Sequence, residues 1–534
     1  MRRSRKQLAI AGVLAVVGVV VAAVAVAGPA NDLTGVSANT KSAGYAPASV
    51  LSPELTQITV AQGSTKVENP TDGVAYYGYD NDVLGPGGQP LMVPTPAQPA
   101  TEAHKTEPDK NTYLVFKDGL TGADPAYDYG THFLFQGHEG GTPGYITRIN
   151  LGADAAHRVT LLATQDKDGH AIATIDGSTW EPWAKRLLFT TESASNPTYA
   201  ATPGYPSTVE DVSGALGRGG YEGIQDDEDG NIWIVEDIGG ANKPGTVARI
   251  PNSFVYRYVP QEPGDLHDGK LQVLQVLRGG TAITQATQTA LQSDDQKAVH
   301  TYGDTLDTQW VTIHDTTVDG HDPFNANVKA KAANGTPFKR PENGLFRPGS
   351  KFKEFYFDET GDTNATSVEN DCCGGWTAVL KLTQHDPSAA TGKLSLVYKG
   401  DAAHAGFDNN AFFSKNLLSF VEDAGDTLHG QRNALDSAYT IDVTVDYSKP
   451  GNVPLRWLAE GRDASATLDS ANGGFGKNDS DNEITGLYVS DGDPSKVGIL
   501  GHRTPHPWHE NGKWRVFYTQ QHGDNPTYEV LRSK

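Results

Sequence analysis

The feature that most restricts the fold of this chain is a recurring pattern. Short apolar runs end, again and again, on a carboxylate followed by a turn. Leu187-Leu188-Phe189-Thr190-Thr191 runs into Glu192, and Ile232-Trp233-Ile234-Val235 runs into Glu236-Asp237. Phe355-Tyr356-Phe357 runs into Asp358-Glu359, and Leu418-Ser419-Phe420-Val421 into Glu422-Asp423. Each run has an earlier acidic partner. Asp176 lies 16 residues before Glu192, Glu222 lies 14 before Glu236, Glu342 lies 16 before Asp358, and Asp408 lies 14 before Glu422. Glu483 opens a further, incomplete unit.

A gap of this size fits two strands of about five residues and a turn. The two open ends of an antiparallel hairpin lie side by side, so each pair of carboxylates is expected at one end of one hairpin. Hairpins repeated along a chain point to a radial all-β architecture. We therefore expect a β-propeller whose hairpin ends bring a ring of carboxylates to the central channel. Like charges held that close do not all ionise without a counter-ion, and metal cations supply one. Asp, Asn and Gly after a strand also serve as plain turn residues. Glu has less of that excuse, and most of these residues are Glu.

Composition supports many short strands: Gly 59 and Pro 31 mark turns, and Met 2 speaks against helix bundles. A net charge of −22 repels nucleic acid and anionic membrane. It also repels phosphate unless bound cations reverse the local field. The adjacent cysteines, Cys372 and Cys373, have Cα atoms closer than ordinary disulfides span, which argues against their pairing. With no CxxC, thiolate zinc is excluded.

Residues 1–28 carry Arg2, Arg3, Arg5 and Lys6 before an uncharged apolar run from Leu8 to Gly28. That reads as a signal peptide or, given its length, an uncleaved membrane anchor. Either places the rest of the chain outside the cytoplasm, secreted or in the cell envelope. Residues 29–108 read as linker and N-terminal extension with an early strand packed on the body. The propeller is expected over 109–534, with a polar insertion at about 280–338. Nothing in the sequence signals an oligomer, and we take the chain as a monomer.

Four segments resemble the PhoX family of bacterial alkaline phosphatases. They are Thr179-Trp180-Glu181-Pro182-Trp183 leading to Glu192, and Gly219-Gly220-Tyr221-Glu222-Gly223 leading to Glu236-Asp237. The others are Tyr256-Arg257-Tyr258-Val259-Pro260 with Pro263-Gly264-Asp265-Leu266, and Arg340-Pro341-Glu342-Asn343 with Phe407-Asp408-Asn409 leading to Glu422. The likeness runs over roughly residues 110 to 530, and it is carried more by the order of the motifs than by any one of them.

The resemblance implies a six-bladed propeller with calcium and iron at the channel mouth and hydrolysis of small phosphate monoesters. It implies Glu192, Glu222, Glu236, Glu342, Asp408 and Glu422 as metal ligands, Arg340 facing the phosphate, and Arg340 and Glu342 at the catalytic centre. The chain departs from the family where an iron-binding cysteine is expected. That place falls at Asp176-Gly177. An Asp can hold iron, or hold Ca²⁺ instead, so Asp176 joins the expected metal ligands and Fe³⁺ is in doubt where Ca²⁺ is not.

Two readings compete with a phosphatase. One is another calcium-dependent propeller hydrolase, lactonase-like or phytase-like; the other is a non-catalytic, calcium-stabilised propeller. No G-x-S-x-G elbow or P-loop is present. His506 and His509 read as surface or turn residues, and Lys243 and Arg249 as solvated.

Overall fold

The computed structural model describes residues 32–41, 48–85, 87–91, 103–461, 483–490, 514–521 and 523–533. The apolar run Leu8–Gly28 and the His506 to His509 segment lie outside the described residues. Among those described, no helix is long and apolar enough to cross a membrane.

The fold is all-β and propeller-like. Its strands form antiparallel meanders, which we number in chain order. Meander 1 comprises Thr112–Val115, His132–Gly137, Ile146–Asn150 and Val159–Ala163. Meander 2 comprises Ser178–Glu181, Arg186–Phe189, Tyr199–Ala201 and Val209–Asp211. Meander 3 comprises Tyr221–Asp226, Ile232–Glu236, Val255–Pro260 and Gly269–Arg278. Meander 4 comprises Pro341–Phe346, Glu354–Glu359, Ala378–Gln384 and Thr391–Lys399. Meander 5 comprises Phe407–Phe412, Leu417–Glu422, Ser437–Asp442 and Leu455–Ala459, with the short strand Val50–Leu51 at its edge. Meander 6 comprises Ile484–Val489, Val516–Gln520 and Thr527–Arg532, and its fourth strand is Leu55–Ala61 from the other end of the chain.

These meanders make five hydrogen-bonded sheets rather than six separate ones. The stretch at 280–338, expected as an insertion, is the reason. It holds the helices Asp294–Val299 and Ala326–Ala332 and the long strand Thr305–Asp315. That strand pairs with the outer strands of both meander 3 and meander 4, covering two edges that would otherwise present unpaired N–H and C=O groups.

The first strands of successive meanders touch in a closed cycle, from meander 1 round to meander 6 and back. Between each neighbouring pair lies one apolar cluster. Phe133, Phe135, Trp180 and Phe189 pack between meanders 1 and 2, and Leu188, Ile224, Ile234 and Tyr256 between 2 and 3. Trp233, Val235, Phe355 and Phe357 fill the next gap, and Tyr356, Phe407 and Phe420 the one after. Val421, Trp457, Ile484 and Tyr518 follow, and Tyr113, Leu134 and Phe517 complete the circle. Burying each such side chain contributes about 1.5–3 kcal/mol, so the interfaces between meanders are the core. Both faces of every sheet are covered, which explains why these strands read as continuous apolar runs rather than alternating ones.

Cys372 and Cys373, which adjacency argued would stay unpaired, are joined in a disulfide, their Cα atoms 3.7 Å apart. They close the helix Val368–Cys373, where the chain turns back through Gly374 and Gly375 at positive φ.

Candidate metal centre

The inner strands of meanders 3, 4 and 5 share one local device. Tyr221 pairs with Glu236, Pro341 with Glu359 and Phe407 with Glu422, and directly after each pair the register slips in a β-bulge. The bulged residues are Glu222-Gly223, Glu342-Asn343 and Asp408-Asn409. A bulge re-aims a side chain, and here it delivers three carboxylates to one place. Oxygens of Glu222, Glu342 and Asp408 lie within 4.8 Å of one another.

Close approach of the inner strands makes this possible, and two glycines permit it. A Cβ on Gly177 would lie 1.9 Å from the carbonyl oxygen of Glu222. A Cβ on Gly223 would lie 2.8 Å from the Cα of Asn343. Thr190 Oγ1 donates to that same Glu222 carbonyl at 2.6 Å, holding meander 2 against meander 3.

The cluster extends in both directions. Asp176, Glu192 and Glu222 form a second group within 4.8 Å, and Asp109, Glu139 and Asp176 a third. Glu222 and Asp176 each belong to two groups, so the three are contiguous. Glu483 feels the charges of Asp408, Asp109 and Glu342. Among the described residues, Lys110 and Arg340 are the cations that stand against these carboxylates.

Burial dominates the electrostatics. It pushes the carboxyls of Asp176, Glu139, Glu222, Glu342, Asp408 and Glu483 well above the usual range, and the neighbouring carboxylates add to the effect. Glu192 reaches solvent at the mouth, yet burial among protein atoms, then Asp237, raises it to about 7. Among the described residues, Asp109 Oδ1, Asp176 Oδ1, Asp358 Oδ2 and Asp408 Oδ2 are buried without a hydrogen bond. A buried polar atom left so costs about 1–3 kcal/mol. All the clustered donors are carboxylate oxygens, the chemistry that Ca²⁺ prefers, so the residues present fit a cation.

Other oxygens of the cluster are anchored. Thr360 Oγ1 donates to Glu342 Oε1, and Thr485 Oγ1 donates to Asp109 Oδ2 at 2.6 Å. Lys110 Nζ donates to Asn409 Oδ1 at 3.1 Å and to the Leu487 carbonyl at 3.0 Å. Asn409 Nδ2 in turn donates to Asp408 Oδ1 at 2.7 Å.

Arg340 stands at the edge of the cluster, in the left-handed region at φ 57°. Its Nη2 lies 2.8 Å from Asp237 Oδ2 and 3.4 Å from Glu342 Oε1. Burial alone would weaken its charge, but Asp237 and Glu342 more than restore it. Its side chain keeps 28 % exposure, toward a cleft described below.

The structure thus brings Asp176, Glu192, Glu222, Glu342 and Asp408 together with Arg340 beside them. It does not bring Glu236 or Glu422, which the hairpin argument placed in the ring. Glu236 Oε2 accepts from Phe254 N, Tyr256 Oη and Asn327 Nδ2, each at 3.0 Å. Glu422 is clamped by Arg432, Nη1 to Oε1 at 2.8 Å and Nη2 to Oε2 at 3.1 Å. Side chains alternate along a strand, so the following residue takes the opposite side. Asp237 is the one that meets Arg340, and Asp423 is felt by Glu483 and Asp408.

Sequence reasoning also missed Asp109 and Glu139. They flank the first hairpin as the other pairs do, and Asp109 N donates to the Gly137 carbonyl at 3.3 Å. The long loop between Val115 and His132 stretched their spacing beyond the repeat. Lys243, expected in solvent, is buried, with Nζ 2.7 Å from Glu369 Oε1.

No family model matches the chain, and no curated protein does. Among solved structures it is similar to Pseudomonas fluorescens PhoX in complex with vanadate, at 11% identity, covering 94% of this chain and 98% of that one, with a TM-score of 0.55. A gluconolactonase from Xanthomonas campestris aligns at 10% identity over 84% of this chain and 99% of its own, with a TM-score of 0.32. The first likeness supports the propeller fold; the second is too distant to carry an argument.

Proposed function

We propose that this chain is an exported, metal-dependent hydrolase of phosphate monoesters, a six-bladed propeller related to the PhoX phosphatases. In this reading each meander is one blade, and the strand Thr305–Asp315 is a bridge between blades 3 and 4. The observation that carries the proposal is the convergence of Asp109, Glu139, Asp176, Glu192, Glu222, Glu342 and Asp408, several with unpartnered buried oxygens, beside one partly exposed arginine. Glu422 is closed off by a two-point clamp from Arg432, whereas Asp109, Asp176 and Asp408 each keep a buried oxygen without a hydrogen bond among the described residues.

Asp176, Glu192, Glu222, Glu342 and Asp408, with Asp109 and Glu139, would hold the cations. An all-oxygen set favours Ca²⁺, and Asp176 is the place where an Fe³⁺ would be tested. Bound cations would supply Lewis-acid neutralisation of a phosphate's charge. The chain's own part is positional. Arg340 presents a planar fork that suits two oxygens of a tetrahedral anion, and Asp237 fixes its plane. Thr360 orients Glu342, and Lys110 orients Asp408 through Asn409. The fork favours a phosphate over a neutral lactone, which offers no oxyanion in its ground state. The likeness to a vanadate-bound structure points the same way. Export follows from the apolar N-terminal run.

Purified full-length protein, assayed on a chromogenic phosphate monoester with and without added Ca²⁺ and analysed for bound elements, tests the reading. Turnover that rises with Ca²⁺ supports it. Metal-free protein with no turnover under any added cation would overturn it.

A further inference from the structure

A cleft of about 460 Å³ opens beside Arg340, and none of the clustered carboxylates lines it. It runs between the turn after Glu236, which gives Gly239, Asn242, Val247 and Arg249, and the turn after Glu359, which gives Asp362, Thr363 and Asn364. Its volume falls within the range of small-molecule sites. Arg340 belongs to both places, for it lines the cleft while Nη2 stays 3.4 Å from Glu342 Oε1. A phosphate gripped by Arg340 would therefore point its organic group into this cleft.

The charge of the cleft is unusual for an acidic chain. Its one lining carboxylate, Asp362, is buried and already satisfied. Lys339 Nζ lies 2.8 Å from Oδ1, Ser367 Oγ donates to Oδ2 at 2.7 Å, and Arg249 N donates to Oδ1 at 3.1 Å. Beneath it, Lys339 and Lys243 share Glu369. Lys339, Lys243 and Arg340 are thus paired with Asp362, Glu369, Asp237 and Glu342, and Arg249 is the cation of the cleft that is not. Its side chain is exposed, its Nη1 donates to the Gly240 carbonyl at 3.2 Å, and among the described residues it forms no ion pair with a carboxylate. Asn242, Asn364 and Thr363 add neutral hydrogen-bonding groups around it.

We infer that this cleft is the leaving-group site, and that it selects phosphate monoesters whose organic part is small, hydroxylated and itself anionic, with a carboxylate or second phosphate paired to Arg249. The inference rests on the phosphomonoesterase reading above and gives it a substrate class. Arg249 is a specificity residue and takes no part in the chemistry.

A matched pair of esters tests it: 3-phosphoglycerate, which carries a carboxylate, and glycerol 3-phosphate, which does not. The Ca²⁺-loaded protein is expected to show kcat/KM at least about tenfold higher for 3-phosphoglycerate, one ion pair in a partly screened site. Arg249→Ala should remove that advantage, bringing kcat/KM for 3-phosphoglycerate down toward that for glycerol 3-phosphate, while Arg249→Lys retains part of it. Equal kcat/KM for the two esters, or an equal loss on both in R249A, overturns the inference. Titration of D-glycerate, the free leaving group, into wild type and R249A separates the two levels. Glycerate binding that R249A abolishes, with neither ester hydrolysed, upholds the cleft and removes the phosphatase reading. Hydrolysis without R249A-sensitive glycerate binding does the reverse.

Discussion

Arg340 clasps Asp237 through two donors, with Nη2 2.8 Å and Nε 2.9 Å from the same Oδ2. The pair joins the end of the second strand of meander 3 to the start of the first strand of meander 4, and Arg340 belongs both to the edge of the carboxylate cluster and to the lining of the Arg249 cleft. The guanidinium therefore has a fixed plane before any ligand arrives, so little side-chain entropy remains to be lost on binding.

Replacing that guanidinium by an ammonium keeps the charge and loses the fork. Arg340→Lys is expected to lower kcat/KM on a phosphate monoester by roughly 10²-fold, with bound-metal content unchanged. Steady-state kinetics alongside elemental analysis check this, and a matching loss of metal would assign Arg340 to the cation site instead.

Glu342 lies in the group with Glu222 and Asp408. Glu342→Gln removes one charge at nearly constant shape. Cation affinity should fall by at least about 100-fold, and turnover should fall with it. Isothermal titration with Ca²⁺ into chelator-treated protein reads the first, and the ester assay the second. Unchanged affinity and rate would reject its role.

Lys110 acts at one remove, through Asn409 onto Asp408. Lys110→Met keeps the stem and deletes the donor, so Asn409 is free to turn. We expect cation affinity to drop by about 10–100-fold while the far-ultraviolet circular dichroism spectrum stays that of the wild type.

Glu236 gives a stability prediction separate from the metal. Burial raises it from 4.5 to about 8, although Asn327, Tyr256 and the Phe254 amide favour its charged form. An acid whose folded pKa is raised keeps its proton in the fold after the unfolded chain has released it. Its contribution is complete below about 4.5 and is lost as pH rises through about 8. Glu236→Gln imitates the protonated form. Thermal melts should show no change at pH 5 and a gain of a few °C at pH 9; a mutant less stable at pH 9 than the wild type would contradict the assignment.

The all-β fold and much of the cluster were legible in the sequence because strand period and turn spacing are local properties. Glu222, Glu342 and Asp408 stood out because the same hairpin carries each. What was not legible depends on single-residue register. The spacing argument set Glu222 opposite Glu236, whereas Tyr221 holds that place and a bulge follows. One step of alternation then exchanges Glu236 for Asp237 and Glu422 for Asp423. Asp109 and Glu139 were hidden by a long loop. The bridge Thr305–Asp315 lay inside a polar stretch whose partners are far away in sequence, and the Cys372–Cys373 bond depends on how a helix ends.

Leu55–Ala61 and Thr527–Arg532 lie side by side although almost the whole chain separates them. A nascent chain cannot complete this circle until its final strand has been made, so the ring closes only after synthesis of that strand. Closure sets meander 6 against meander 1 and brings Thr485 Oγ1 onto Asp109. The last step of folding therefore also anchors one oxygen of the carboxylate cluster.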